Sequence, residues 1–260
     1  MNFAPGSYLE STSRPLYALL FLLPWIVVYE FGTLWVNTEQ YGQTLTRKCV
    51  VSFIWLTRLA QWMGLPERLV WLFPGFVVVV ILLCWHLVSS QSWRARPKWL
   101  AFMAIESVLL AIPLMFLNAA LGRSALHSAA AAAVTIAQAG RSWFADVVTS
   151  IGAGIYEELI FRFILMGLIL MFLEDLCKVK ASLAALVAVA ISSLLFALHH
   201  YIGFEDGRFI TFSAVPFTPV GFIFRTAAGV YFAIIFRYRG YGITAGTHAA
   251  YNIILKSLWP

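Results

Sequence analysis

Long runs of apolar residues dominate this chain and restrict it to one kind of fold. The stretch LVWLFPGFVVVVILLCWHLVSS at 69–90 is typical of several such runs. A helix needs about 20 apolar residues to cross the hydrocarbon core of a bilayer, and these runs lack the alternating pattern of a strand. Hydrophobic residues make up 61% of the 260 residues, whereas charged residues make up only 12%. The composition therefore indicates an integral, multi-pass membrane protein and disfavours a β-barrel.

Seven segments have the length and composition of membrane spans. They are residues 15–36, 69–90, 99–121, 143–173, 180–201, 214–236 and 242–258. The segment 49–65 is marginal, because Arg58 and Gln61 interrupt it, and an interfacial helix fits it as well. We expect an all-α polytopic transmembrane bundle of about seven to eight spans. The loops are too short for a second domain, so residues 1–260 should form a single membrane domain.

The charge distribution indicates a lipid bilayer as the partner and not a nucleic acid. The 18 Lys and Arg residues exceed the 12 Asp and Glu residues, but the basic residues fall in short clusters between apolar segments. Such clusters are typical of topology signals in membrane proteins. The Ala-rich segment 122–140 is helix-prone but weakly apolar, and we expect it to lie along the surface.

One apolar segment, GIYEELIFRF at 154–163, contains three ionisable side chains. On a helix, Glu158 and Arg162 are i, i+4 neighbours and can pair, whereas Glu157 points about 100° away and has no local partner. Ionisable groups inside a span are costly and indicate a functional site by default. The sequence therefore predicts one paired acid and one free acid.

Two further apolar segments contain polar groups that can converge on these acids. In LLFALHHYIG at 194–203, Phe196 and His200 share a helix face, and in GITAGTHAAYNII at 242–254, His248 and Asn252 lie one turn apart. Each group alone fits a structural role, such as an interhelical hydrogen bond. Together they favour a common site, because polar groups in hydrocarbon must satisfy one another.

The three motifs, EExxxR, FxxxH and HxxxN, occur in this order as EELIFR, FALHH and HAAYN. This pattern resembles the CAAX protease and bacteriocin-processing enzyme family of intramembrane endopeptidases. The resemblance covers residues 143–258, which would form the catalytic core. It implies hydrolysis of a peptide bond in a membrane-associated protein or peptide, at the inner membrane of a prokaryotic cell, without a metal or other cofactor.

The resemblance also implies roles for individual residues. By family analogy, Glu157 is the general base for a water that His200 helps to hold. His248 and Asn252 would stabilise the oxyanion, for which an imidazole N–H and an amide N–H are suitable donors.

The remaining polar residues of the motifs are expected to support the reacting ones. Glu158 and Arg162 would fix the helix as an ion pair. His199 and His200 project about 100° apart on a helix, so only one of them should face the other catalytic groups. Phe196 favours His200, and the ring of His199 is expected to lie beside the cavity or at the interface.

Two other functions remain open from the residues alone. The first is a zinc-dependent membrane metalloprotease that uses Glu157, His200 and His248 as ligands. The absence of an HExxH motif disfavours it. The second is a non-catalytic scaffold or small transporter whose polar groups line a binding cavity. The absence of an internal repeat disfavours a transporter.

Overall fold

A computed structural model of the chain describes residues 4, 6–38, 50–125, 143–205, 208–211 and 217–258. It confirms the predicted all-α transmembrane bundle. Four of the described helical segments are long and apolar enough to cross a membrane: Pro15–Val36, Pro97–Leu121, Ala181–Leu198 and Pro219–Leu258. Their outer faces expose large apolar side chains such as Phe31, Trp35 and Phe116, as surfaces in contact with lipid do.

The described residues before position 126 form six helices. They are α1 (Tyr8–Thr12), α2 (Pro15–Thr38), α3 (Val51–Trp62), α4 (Glu67–Val70), α5 (Phe73–Val88) and α6 (Pro97–Ala125). Proline is the first residue of α2 and of α6, where its missing N–H would be unpaired in any case. The marginal segment 49–65 forms the short helix α3. Most of the predicted surface segment 122–140 lies outside the described residues.

The C-terminal part contains α7 (Trp143–Gly152), α8 (Gly167–Leu170), α9 (Ala181–Leu198) and α10 (Pro219–Leu258). Three π-helical stretches, Ala153–Glu157, Leu159–Met166 and Met171–Leu176, extend and connect α7 and α8. Residues 143–176 thus form one continuous helix, which we call the central helix. It coincides with the predicted span 143–173.

Gly240 divides α10 at the boundary between the two predicted spans 214–236 and 242–258. Its φ of 77° lies in the left-handed region, which residues with a Cβ avoid. The chain therefore changes direction there, and the HxxxN motif begins a new helical segment. Before α10, the strands β1 (Ile202–Glu205) and β2 (Arg208–Thr211) pair antiparallel in a small hairpin that the sequence analysis did not predict.

The central helix lies at the middle of the bundle, in contact with α2, α9 and α10. Close approach to α10 depends on Gly154, because a Cβ at this position would collide with the backbone carbonyl of Ala245. Small residues allow such close helix contacts in membranes. This contact brings the EExxxR motif next to the HxxxN motif.

Candidate active site

The two adjacent acids of the central helix are both buried, with Glu157 7% and Glu158 0% exposed. Glu157 ends the first π-helical stretch, and Glu158 lies between the first and the second. π-helical turns inside α-helices occur frequently at functional sites, because the extra residue changes which side chains face the interior.

Glu158 and Arg162 form the ion pair that their spacing predicts, with 3.1 Å between Arg162 Nε and Glu158 Oε2. Arg162 is fully buried, and its Nη2 donates to the carbonyl of Gly229 at 3.1 Å. The guanidinium also lies 4.1 Å from the centre of the Phe196 ring. These contacts join the central helix to α9 and α10 at the level of the acids.

Glu158 has a second partner that the sequence analysis missed. His248 Nδ1 lies 2.7 Å from Glu158 Oε1, and Phe232 stacks on the His248 ring at 4.5 Å. A carboxylate only accepts hydrogen bonds, so Nδ1 carries the proton, and Nε2 faces the other acid. Nε2 lies 3.9 Å from Glu157 Oε2. Glu158 therefore fixes His248 as well as Arg162, a link across 90 residues of chain that leaves no local signal in the sequence.

His199 and His200 both face the site, and the expectation that only one of them does so is wrong. His199 Nε2 lies 3.6 Å from Glu157 Oε1, and ligand atoms of Glu157, His199 and His200 all lie within 4.8 Å of one another. His199 is buried, and its ring packs 4.7 Å from the Phe161 ring and not beside the cavity or at the interface.

The physical reason is that α9 ends at Leu198, so the angular spacing of a helix no longer separates the two rings. The carbonyl of Phe196 is one of the free carbonyls at this helix end. It lies 2.5 Å from His199 Nδ1 and 2.9 Å from His200 Nδ1. The carbonyl accepts from both rings, which leaves both Nε2 atoms free as acceptors or metal ligands.

Three of the four residues predicted to react line one cavity of about 390 Å³. They are His200, His248 and Asn252. Glu157 is not one of the described residues that line this cavity, but it lies beside two residues that do, His248 at 3.9 Å and His200 within 4.8 Å. Glu157 Oε2 is buried without a hydrogen-bond partner in the described parts of the chain. A buried unpaired carboxylate oxygen of this kind indicates a site for a water, an ion or a reacting group.

The donor set also fits a divalent metal such as Zn²⁺. One carboxylate and two imidazoles converge, and each imidazole is oriented by a bond from its other nitrogen to a backbone carbonyl, as metal-binding histidines usually are. The grouping differs from the predicted ligand set, because His199 joins Glu157 and His200 where His248 was expected.

A further intramembrane acid, Glu30 in α2, was missed. Its Oε1 accepts from the backbone N–H of Gly75 at 3.0 Å, in the first turn of α5, and its carboxylate neighbours the Tyr156 side chain, one residue before Glu157. The signal was available, because Glu30 is the lone ionisable residue of the predicted span 15–36. Glu30 connects the N-terminal helices to the part of the central helix that contains Glu157.

Comparison with protein families gives one match. Residues 139–254 match the model described as Rce1-like, type II CAAX prenyl endopeptidase. Searches of curated proteins and of solved structures found no match. The matched region contains all three motifs and the ion-pair partners of Glu157 and Glu158, which are Arg162, His199 and His248. The region with the candidate site is thus similar to the family described as Rce1-like, type II CAAX prenyl endopeptidase.

Proposed function

We propose that this protein is an intramembrane endopeptidase that cleaves a membrane-associated protein or peptide by means of a water activated at Glu157. The observation that carries the proposal is the buried carboxylate of Glu157, which faces the Nε2 atoms of His199 and His248 at 3.6 and 3.9 Å. Its Oε2 has no hydrogen-bond partner among the described residues. Imidazoles next to a free carboxylate can hold and polarise a water molecule.

In the proposed first step, the water donates one hydrogen bond to Glu157 and one to the free Nε2 of His200. Glu157 takes a proton from the water, and the oxygen adds to the scissile carbonyl carbon. The negative charge moves to the carbonyl oxygen, where the amide N–H of Asn252 and the protonated Nε2 of His248 can donate hydrogen bonds. Glu158 supports this state, because its carboxylate stabilises a positive charge on His248 through Nδ1.

In the second step, the C–N bond breaks, and Glu157 passes its proton to the leaving amine. The products are a new carboxylic acid and a new amine, Glu157 returns to its ionised form, and transfer of the acid's proton to the amine gives a carboxylate and an ammonium group. The chain's own residues supply every proton transfer in this scheme. The expected location in the inner membrane of a prokaryotic cell stays a prediction.

The test is a comparison of protein termini in membranes that contain either the wild-type protein or Glu157→Gln. The substitution keeps the shape of the side chain and removes the base. New termini that depend on Glu157 support the proposal and also identify the substrate. Identical sets of termini at equal protein levels would contradict it and favour a non-catalytic scaffold.

A second candidate is a zinc-dependent hydrolase, which the grouping of Glu157, His199 and His200 within 4.8 Å favours. Bound Zn²⁺ would lower the pKa of a water and polarise the substrate carbonyl. Measuring the metal content after purification without chelators distinguishes the two. About one zinc per chain, lost together with activity on chelation, would favour the zinc enzyme, whereas full activity without metal would favour the glutamate mechanism.

A further inference from the structure

Arg225 is a charged residue in the catalytic cavity for which the proposed reaction has no use. It lies near the start of α10 and lines the cavity together with His200, His248 and Asn252. Among the described residues that line this cavity, Arg225 is the one side chain with a permanent charge. A guanidinium in such a position is costly within an apolar bundle and indicates a binding role.

The guanidinium of Arg225 is held in place but not neutralised. Its Nη1 donates to the Tyr201 hydroxyl at 2.6 Å and to the carbonyl of Gly221 at 3.4 Å. It also lies 5.0 Å from the centre of the Tyr201 ring. Within the described ranges, no carboxylate pairs with it, and its Nε and Nη2 have no acceptor. Arginine offers five N–H donors in a fixed fork, so most of them remain free for a ligand.

An unpaired hydroxyl lies in the same cavity. Tyr251 is 5% exposed, and its hydroxyl has no hydrogen-bond partner in the described part of the chain. The side chain of Tyr251 also interacts electrostatically with the guanidinium of Arg225. Buried hydroxyls almost always have partners, so this donor and the free guanidinium, which line the same cavity, are suited to bind one anionic acceptor.

We propose that Arg225 and Tyr251 form a subsite for a carboxylate of the peptide substrate, close to the scissile bond. The inference rests on the proposed function and names a substrate class for it. Arginine binds a carboxylate through two parallel N–H···O bonds, and the tyrosine hydroxyl can donate a third. The carboxylate can come from a free C-terminus or from an acidic side chain. In either case the subsite selects where the chain is cut.

Binding of two matched peptides tests the subsite. Both carry a fluorophore and end in S-farnesyl-cysteine, valine, isoleucine and alanine, one with a free carboxylate and one with a carboxamide. In nanodiscs of the inactive Glu157→Gln protein, the acid should bind about 10- to 100-fold more tightly, since hydrogen bonds between charged groups contribute this much. Arg225→Gln should remove most of this preference, and Tyr251→Phe should reduce it, with elution profiles confirming that each variant is folded.

Arg237→Gln is the matched control, because Arg237 lies on the same helix, is exposed and does not line the cavity. It should leave the preference unchanged. Equal affinities of the two peptides for the protein with Arg225 intact, including no binding of either, overturn the subsite. A folded Arg225→Gln variant that keeps the full preference for the acid peptide also overturns the subsite.

A third peptide, a carboxamide with aspartate in place of the last alanine, distinguishes the two sources of the carboxylate. Tight binding assigns a side-chain carboxylate to the subsite, and weak binding assigns the C-terminal carboxylate. Cleavage of the acid peptide by the wild-type protein is measured in parallel. Binding with the expected preference but without cleavage contradicts the proposed function alone, whereas cleavage of acid and amide at equal efficiency contradicts the subsite alone.

Discussion

At the scale of single residues, Glu158 has two partners on two different elements. Its Oε2 pairs with Arg162 on the same helix, and its Oε1 accepts from His248 on α10. A carboxylate that neutralises a buried guanidinium and orients an imidazole cannot be removed without leaving both unpaired. Glu158 is thus a positioning residue as well as a structural one.

The first prediction concerns the stability of this pair. Glu158→Ala should lower the free energy of unfolding by about 3–5 kcal/mol, because it leaves the fully buried Arg162 uncompensated. Thermal unfolding in detergent measures the effect. Glu10→Ala is the control, since Glu10 and Arg14 form an i, i+4 pair that is 28% and 23% exposed. A pair so accessible to solvent should contribute less than about 1 kcal/mol.

Equal stability of Glu158→Ala and the wild type would contradict the structural role. If such a stable variant were inactive, Glu158 would belong to the reaction through His248 rather than to the support of the helix.

The second prediction separates the three histidines. Since His199 and His200 both face Glu157, His199→Ala and His200→Ala should each lower the cleavage rate by about 10-fold or more, and His248→Ala should do the same. His86→Ala serves as the control, because His86 is equally buried but lies on α5. A single cleavage assay, normalised to folded protein, measures all four variants.

A His199→Ala variant with wild-type activity would restore the expectation from the sequence, in which His200 alone holds the water. Loss of metal together with loss of activity in His199→Ala would instead favour the zinc enzyme.

At the scale of elements, the N-terminus of α5 depends on a carboxylate from another helix. The residue that precedes α5, Leu72, makes no side-chain hydrogen bond to the start of the helix. Instead, Glu30 in α2 accepts a hydrogen bond from the backbone N–H of Gly75. A negative charge at this end also interacts favourably with the helix dipole. The cap holds α5 and α2 together beside Tyr156, which directly precedes Glu157.

The third prediction follows from this cap. Glu30→Ala should destabilise the protein by about 1–2 kcal/mol, the usual contribution of a helix cap, whereas Glu30→Gln should retain the acceptor and most of the stability. Glu67→Ala, in the exposed first turn of α4, is the control and should have little effect. Thermal unfolding measures all three, and an unchanged midpoint for Glu30→Ala would refute the capping role.

The elements themselves were largely predictable. Apolar length located the helices, because a bilayer requires about 20 apolar residues per span. The break in α10 falls between the predicted spans 214–236 and 242–258, at Gly240, which has a φ of 77°. The π-helical stretches were not predictable, since the same residues favour an ordinary α-helix, and tertiary contacts decide between the two forms. The hairpin before α10 was missed for a similar reason, as its strands have only four residues each.

At the scale of the whole molecule, spacing alone located the residues of the site but not all of their contacts. The pairing of Glu158 with Arg162 follows from an i, i+4 rule. The contact of Glu158 with His248 and the orientation of His199 depend on how three helices pack and on where α9 ends. Arg225 lies in the middle of the predicted span 214–236, so the rule that identifies Glu30 could also have found it, whereas Tyr251 gave no signal in the sequence.

The whole bundle brings the three motifs together around the carboxylate of Glu157, whose Oε2 has no hydrogen-bond partner among the described residues, and this arrangement is the basis of the proposed mechanism. The decisive substitution is Glu157→Gln, which preserves shape and burial while it removes the general base. Glu174→Gln is the matched control, since Glu174 lies on the same central helix, is not buried and does not line the cavity.

The measurement is the single-turnover cleavage rate of the farnesylated acid peptide by purified protein in nanodiscs. We predict that Glu157→Gln lowers this rate by about 10²–10⁴-fold at unchanged thermal stability, while Glu174→Gln cleaves like the wild type. Cleavage by a folded Glu157→Gln protein at the wild-type rate would contradict the central claim that Glu157 activates the water.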